Sequence, residues 1–130
     1  MGHARTRPTV ALVVGDDPAT RALETDVLEE GGFSVVQARN GEDALGLAQE
    51  RRPGVVLLDI ALPTASGFEV LRSLRSRPAT SEVPVVLISA YAGLVDDCKQ
   101  RGANACVQKP FEIDALLAEV RGLLQPNVNG

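Results

Sequence analysis

The chain has 130 residues and a net charge of −4 at pH 7, and 45% of its residues are hydrophobic and 23% charged. These values are typical of one folded domain with an apolar core. Three phenylalanines, one tyrosine and no tryptophan, together with the negative charge, argue against nucleic-acid binding through base stacking and phosphate contacts. No apolar run approaches the roughly 20 residues that cross a bilayer, so no membrane segment is predicted.

Apolar runs of strand type alternate with stretches of helical periodicity. Pro18 suits the first position of a helix, the glycines at 31 and 32 end it, and its predicted apolar face carries Ala22, Leu23, Val27 and Leu28. Ser66 and Glu69 have the spacing of a capping box at the start of another helix. The strands are predicted at 9–14, 33–38, 55–59, 83–89 and 105–108, and the helices at 18–30, 41–52, 66–75, 94–101 and 111–124.

This alternation predicts an α/β fold. Strands that are apolar on both faces indicate a parallel sheet with helices on each side. Right-handed crossovers then favour a doubly wound, flavodoxin-like sheet in the order 2-1-3-4-5. The domain is expected over residues 9–124, with flexible tails at 1–8 and 125–130. The only histidine, His3, lies in the first tail and is not expected to be catalytic.

Polar residues follow the strands of the predicted sheet. Asp16 and Asp17 follow the first strand, Asp59 ends the third, Ser89 ends the fourth, and Lys109 follows the fifth. The carboxyl ends of parallel strands meet at one edge, where such folds bind ligands. Three carboxylates gathered there repel one another unless a cation is bound, and Mg²⁺ prefers such oxygen ligands.

Each of these residues also has an ordinary explanation. Asp17 before Pro18 could be only a helix N-cap, Asp16 a solvated loop acid, Asp59 a solvated charge at a strand end, and Lys109 a turn residue. The combination of three acids, a hydroxyl and a lysine at consecutive strand ends favours a metal and phosphate site over five separate coincidences.

With these motifs in place, the sequence resembles the receiver domains of two-component response regulators over about residues 9–124. The similarity rests on the acid pair after the first strand, on "LLDIALPTASG" with Pro63 and Gly67 after Asp59, on "ISA" at 88–90 and on "KPF" at 109–111. Each motif is weak alone, whereas their order and spacing together are specific.

The resemblance implies a phosphoacceptor site. Asp59 would take a phosphoryl group from a partner histidine kinase or a phosphotransfer protein. Lys109 would pair with a phosphate oxygen, Ser89 would bond the phosphoryl group once it arrives, and the peptide bond to Pro110 would be cis. The only enzymatic activity implied is self-phosphorylation from small donors and self-dephosphorylation.

The resemblance also implies a magnesium site and a mode of signalling. Mg²⁺ would be bound by Asp17 and Asp59, by Asp16 through water, and by the backbone carbonyl of Ala61. The signal would pass to a downstream protein partner or to an output domain outside this chain, without direct nucleic-acid binding, and the resemblance allows a homodimer.

Two departures from the family pattern concern signal output. Cys106 stands where the family usually carries an aromatic residue that turns inward on activation, and it is expected to be a small, half-buried residue and not a redox sensor. The segment from Ser89 to Lys109 is about two residues shorter than in the family. Ala61 and Tyr91 occupy positions that in the family influence the access of water to the phosphoryl group, and the resemblance therefore implies slow self-dephosphorylation.

The two cysteines, Cys98 and Cys106, are too few for a disulfide framework and lack the spacing of metal ligands. A reducing, cytoplasmic location is therefore expected.

Two other functions stay open from the sequence. The chain could be a protein-binding module that keeps the pocket but does not use phosphorylation, which the departure at Cys106 favours. It could also be a small flavin binder, but the turn after the first strand, "GDDPAT", is acidic and lacks the glycine-rich phosphate cradle of such proteins.

Overall fold

The protein forms one five-stranded parallel sheet, which confirms the predicted fold and strand order, β2-β1-β3-β4-β5. The computed structural model describes residues 8–62, 66–91 and 95–124. Most of the two predicted tails, and Pro63, therefore lie outside the described residues. The strands are β1 (Val10–Val14), β2 (Ser34–Ala38), β3 (Val55–Asp59), β4 (Val85–Ser89) and β5 (Ala105–Gln108).

The helices alternate with the strands as predicted, and most boundaries differ by one or two residues. They are α1 (Pro18–Glu30), α2 (Gly41–Arg51), α3 (Gly67–Ser76), α4 (Val95–Cys98) and α5 (Ile113–Leu124). The fourth helix is shorter than predicted, since turns follow Cys98; Leu94 lies outside the described residues. Within the described ranges, no helix has the length and apolarity needed to span a membrane.

The alternation of side chains along each strand builds a core on both faces of the sheet. On β1, Ala11 and Val13 belong to one core cluster, whereas Leu12 and Val14 belong to the other. The first cluster also contains residues of α1 and α5, and the second contains residues of α2 and α3. Because helices cover both faces, β3 and β4 lie at the centre of the sheet with their apolar side chains fully buried.

Helix α1 packs through a different face from the one predicted. Val27 and Leu28 are buried as expected, but Leu23 is 46% exposed, and the neighbouring Glu24 is only 4% exposed. Residues 24, 27 and 28 have the helical spacing of a single face, so the helix is rotated away from the face that includes Ala22 and Leu23. The prediction for these two residues was wrong because α1 buries a carboxyl group in place of a leucine.

The start of α3 is held against the end of β3. The predicted capping box is confirmed: Glu69 Oε1 accepts from the Ser66 backbone N–H at 3.0 Å, and Ser66 Oγ accepts from the Glu69 N–H at 3.3 Å. The N–H of Gly67 donates to the carbonyl of Ile60 at 2.7 Å. A Cβ at Gly67 would lie 2.6 Å from the Asp59 carbonyl oxygen, so only glycine fits this approach of helix to strand.

Arg75 connects α3 to the segments that precede β4 and β5. Its Nε donates to the carbonyl of Gly102 at 3.0 Å, and its Nη1 donates to the carbonyls of Val83 and Ser81 at 2.7 and 3.1 Å. Its Nη2 donates to Asn104 Oδ1 at 2.9 Å. A planar guanidinium group supplies donors in these fixed directions, which the single ammonium group of lysine does not.

Replacing Arg75 by lysine is therefore expected to lower the free energy of unfolding by about 2 kcal/mol, because most of the four carbonyl and amide acceptors lose their donor. Urea denaturation followed by circular dichroism measures this loss. Arg72→Lys, on the exposed face of the same helix, is the matched control and should change the midpoint little. Equal midpoints for the two variants would contradict a structural role for the guanidinium group.

Candidate functional site

A cleft of about 260 Å³ opens at the carboxyl edge of the sheet, between the ends of β1, β3 and β4 and the start of α1. The polar residues predicted from the strand ends all line it, and the wall also includes Ala61 and Tyr91. Adjacent parallel strands end at this edge, and the structure thus brings the predicted polar side chains together. The five residues are Asp16, Asp17, Asp59, Ser89 and Lys109.

Asp59 lies at the floor of the cleft as the last residue of β3. Its Oδ2 accepts a hydrogen bond from Lys109 Nζ at 2.8 Å, and its Oδ1 accepts from the Ala61 backbone N–H at 3.1 Å. The carboxylate is only 12% exposed. A donor on each oxygen and an ordered central strand below it fix the orientation of this side chain.

Lys109 reaches Asp59 from the end of β5. Its backbone N–H donates to the carbonyl of Ser89 at 2.7 Å, which joins the end of β5 to the end of β4. The Lys109–Pro110 peptide bond is cis, as the sequence resemblance implied. The charged pair of Lys109 and Asp59 is a charge-assisted hydrogen bond in a partly buried cleft, where such bonds are stronger than on the surface.

Ser89 ends β4 and is 4% exposed. Its Oγ accepts a hydrogen bond from the backbone N–H of Tyr91 at 2.9 Å, so the hydroxyl oxygen is engaged with the loop that follows its own strand. The Tyr91 side chain is 69% exposed. Within the described residues, no hydrogen bond joins the hydroxyl to Asp59.

Asp17 caps the N-terminus of α1. Its Oδ2 accepts hydrogen bonds from the Thr20 backbone N–H at 3.1 Å and from Thr20 Oγ1 at 2.5 Å. These bonds hold the pKa of the Asp17 carboxyl below its usual value, and the bond from the Thr20 hydroxyl has the largest effect. The ordinary explanation of Asp17 as an N-cap is therefore correct, and the same residue also lines the cleft beside exposed Asp16.

The chemistry of the donors in the cleft fits a magnesium ion. Carboxylates of Asp16, Asp17 and Asp59 and the backbone carbonyl of Ala61 are hard oxygen ligands of the kind that Mg²⁺ prefers. In the described part of the chain, no three acidic, histidine or cysteine side chains are grouped closely enough to hold a metal by themselves, but Mg²⁺ takes only one or two protein carboxylates besides other oxygen ligands. The hydrogen bonds described above occupy oxygens of Asp17 and Asp59, and a cation would compete with them.

Glu24 is a residue of this region that the sequence analysis missed. It lies on α1 and is 4% exposed, and burial raises its carboxyl pKa to about 7. The charges of Lys109 and Asp59 act on this pKa in opposite directions, the first lowering it and the second raising it. Its spacing from Val27 and Leu28 is the signal in the sequence that could have placed it on the buried face.

Cys106 lies half-buried on β5, as expected, but the structure also gives it a partner. Cys98, the last residue of α4, is fully buried, and its sulfur lies in direct contact with that of Cys106, with the Cα atoms 6.5 Å apart, so the two residues are placed to form a disulfide. From the sequence, the two cysteines were considered together only as a framework or a metal site, and Cys106 was expected not to be a redox sensor; their pairing was not predicted.

The sequence matches a family model described as the response regulator receiver domain over residues 11–121. Among curated proteins, the polar-differentiation response regulator DivK of Brucella anthropi is 32% identical over 119 residues, which are 90% of this chain and 97% of that protein. The similarity therefore spans nearly the full length of both proteins.

Two solved structures have the same fold. One is the response regulator TrrA from Thermotoga maritima in complex with Mg(2+)-BeF, with a TM-score of 0.82 and 34% identity over 89% of this chain and 99% of that one. The other is the receiver domain of the sensor histidine kinase PA1611 from Pseudomonas aeruginosa PAO1, with a magnesium ion coordinated in its active site cleft. It has a TM-score of 0.82 and 25% identity over 90% of this chain and 98% of that one. With the strand order and the family match, these similarities show that the chain belongs to the response regulator receiver domain family.

Proposed function

We propose that this receiver domain is a phosphoacceptor and that Asp59 takes a phosphoryl group from a phosphohistidine of a partner histidine kinase or phosphotransfer protein. The observation that carries this proposal is the Asp59 carboxylate at the end of β3, paired with Lys109 at 2.8 Å in a cleft also lined by Asp16 and Asp17. A carboxylate is a competent nucleophile for such a transfer.

The proposed reaction forms one bond and breaks another at phosphorus. A carboxylate oxygen of Asp59 attacks the phosphorus, and the bond from phosphorus to the imidazole nitrogen breaks. The nitrogen keeps the electron pair of that bond, and solvent supplies one proton to the ring, so that the histidine leaves as neutral imidazole. Lys109 would move its hydrogen bond from Asp59 Oδ2 to a phosphoryl oxygen and so keep its charge next to the developing negative charge. Ser89 would turn its O–H away from the Tyr91 carbonyl, which lies 3.5 Å from its Oγ, and donate it to a phosphoryl oxygen.

Magnesium belongs to this proposal. Asp17, Asp59 and the Ala61 carbonyl would hold the ion directly, and Asp16 would hold it through water. Bound there, Mg²⁺ would neutralise phosphoryl oxygens during transfer. The donor set supports this assignment, and so do the magnesium-containing structures of the two family members above.

We also propose the bounds of the domain, its location and its mode of signalling. The receiver unit would span residues 9–124 with flexible tails and act in the cytoplasm. It would signal through a downstream protein partner or an output domain outside this chain, with no direct nucleic-acid contact of its own. Self-phosphorylation from small donors and slow self-dephosphorylation would be its only enzymatic activities.

Incubation with acetyl phosphate and Mg²⁺ is expected to add one phosphoryl group to the chain, which intact-protein mass spectrometry detects. Excess chelator should prevent the addition because the carboxylates then lack their cation, and peptide mapping should place the group on Asp59. If folded protein gains no phosphoryl group from acetyl phosphate or from a phosphorylated histidine phosphotransfer domain, the proposed function is wrong. Following the same samples over time gives the rate of self-dephosphorylation.

The pairing of Cys106 with Cys98 supports a second candidate function, a protein-binding module that keeps the pocket but is not switched by phosphorylation. A cysteine tied to α4 has neither the ring nor the freedom of an aromatic residue at this position. The two functions differ in whether phosphorylation of Asp59 changes conformation, which backbone amide chemical shifts outside the cleft would report.

A further inference from the structure

The cysteine pair lies at the junction of α4 with the edge strand β5. Cys98 ends α4 and is 0% exposed, whereas Cys106, the second residue of β5, is half-buried. Their Cα separation of 6.5 Å is within the range that a disulfide spans without backbone movement. Cys106 is therefore the more exposed residue of the pair, and Cys98 belongs to the core cluster against which Cys106 packs.

Noncovalent contacts also hold the segment between the two cysteines. Between the cysteines, Arg101 donates to Asp97 at 2.7 Å and stacks 4.1 Å from the centre of the Phe68 ring. Arg75 binds Gly102 and Asn104, as described above. These contacts hold the segment in place without a covalent bond. A crosslink over a sequence separation of 8 restricts the unfolded chain less than a crosslink over a long loop does. The bond is thus suited to reversible formation.

From this geometry we infer that Cys98 and Cys106 form a reversible redox site, oxidised by a low-molecular-weight disulfide such as glutathione disulfide. The thiolate of half-buried Cys106 attacks one sulfur of the oxidant and releases one glutathione thiolate, which leaves a mixed disulfide. The thiolate of Cys98 then attacks the Cys106 sulfur and releases the second glutathione. Two thiols lose two electrons to the oxidant, and their two protons pass to the two glutathiones.

Oxidation at this site fixes one end of α4 to the sheet. In the described residues α4 is four residues long, and its main contacts are with β5. When the dithiol is reduced, noncovalent contacts alone hold the helix end, and the turn at 99–104 opens more often. The redox state therefore sets the mobility of this face, an input that is independent of the proposed phosphorylation of Asp59.

Titration of the full chain with glutathione redox buffers tests the inference. The wild-type protein is expected to become lighter by two hydrogens without retaining glutathione, and to return to the dithiol when excess reduced glutathione is added. Hydrogen exchange of the amides at 99–104 should be slower by about tenfold in the oxidised form. A wild-type protein that stays reduced, that retains glutathione, or that exchanges equally fast in both forms would overturn the inference.

Two single variants distinguish the roles of the cysteines. Cys98→Ala removes the resolving thiol and is expected to retain one glutathione on Cys106. Cys106→Ser leaves only the buried thiol and, while folded, is expected to take up none; it provides the test if Cys98→Ala does not fold. Glutathione uptake by Cys106→Ser at the rate of Cys98→Ala would contradict the assigned order of attack.

Discussion

Replacing Asp59 by asparagine is expected to lower phosphorylation from acetyl phosphate by at least about a thousandfold, to below detection in most assays. The amide lacks the anionic oxygen that attacks phosphorus, and it removes the charged partner of Lys109 Nζ, which lies 2.8 Å from Asp59 Oδ2. Intact-protein mass spectrometry after incubation with acetyl phosphate and Mg²⁺ measures the loss.

The matched control for this variant is Asp26→Asn, which removes one carboxylate from an exposed position of α1. It changes the net charge by the same amount and should be phosphorylated at the wild-type rate. Circular dichroism and thermal unfolding establish that both variants are folded. Phosphorylation of Asp59→Asn at a rate near that of the control would show that another residue is the acceptor.

Replacing Glu24 by glutamine is expected to remove most of a stability change that the wild-type protein shows between pH 5 and pH 8. Burial raises the Glu24 pKa from 4.5 to about 7, so the folded state holds the proton more tightly than the unfolded state does. The stability that this proton contributes is complete below pH 4.5 and is lost as the pH rises to 7 and above. At about 1.4 kcal/mol per pH unit, the loss is about 3 kcal/mol.

Urea denaturation at several pH values measures the effect. Glutamine keeps the size of the side chain and cannot ionise, so the unfolding free energy of Glu24→Gln should exceed that of the wild type at pH 8 and show a flatter pH dependence. Glu29→Gln, an exposed acid on the same helix, should retain the wild-type slope. Parallel pH profiles for Glu24→Gln and the wild type would show that the buried carboxyl does not titrate in this range.

The sheet and the cleft were predictable because they depend on local patterns and on a general property of parallel sheets. The apolar run before Asp59 is typical of a buried strand, and the spacing of Ser66 and Glu69 is a capping signal; the structure confirms both. Once the strand order is predicted, the polar residues at the carboxyl ends of β1, β3, β4 and β5 are expected to meet at one edge of the sheet.

Other features could not be predicted because they depend on how elements rotate and pack. The prediction of the buried face of α1 was wrong because Leu23, an apolar residue, was assumed to be buried, whereas tertiary packing buries Glu24 at the adjacent position. The pairing of Cys98 with Cys106 depends on how α4 sits against β5, and nothing in their spacing fixes that distance. The bond from the Tyr91 N–H to Ser89 Oγ likewise depends on the path of a loop.

The hydrogen bond from the Gly67 N–H to the Ile60 carbonyl closes the connection between β3 and α3 at its base. The position of Asp59 is set by its strand, by Lys109, by the Ala61 backbone N–H and by the approach of Gly67 to the Asp59 carbonyl. Because Ala61 contributes through its backbone, side chains of the connection between Ile60 and Gly67 can be exchanged by design to present a new partner epitope, while the nucleophile stays where the sheet holds it.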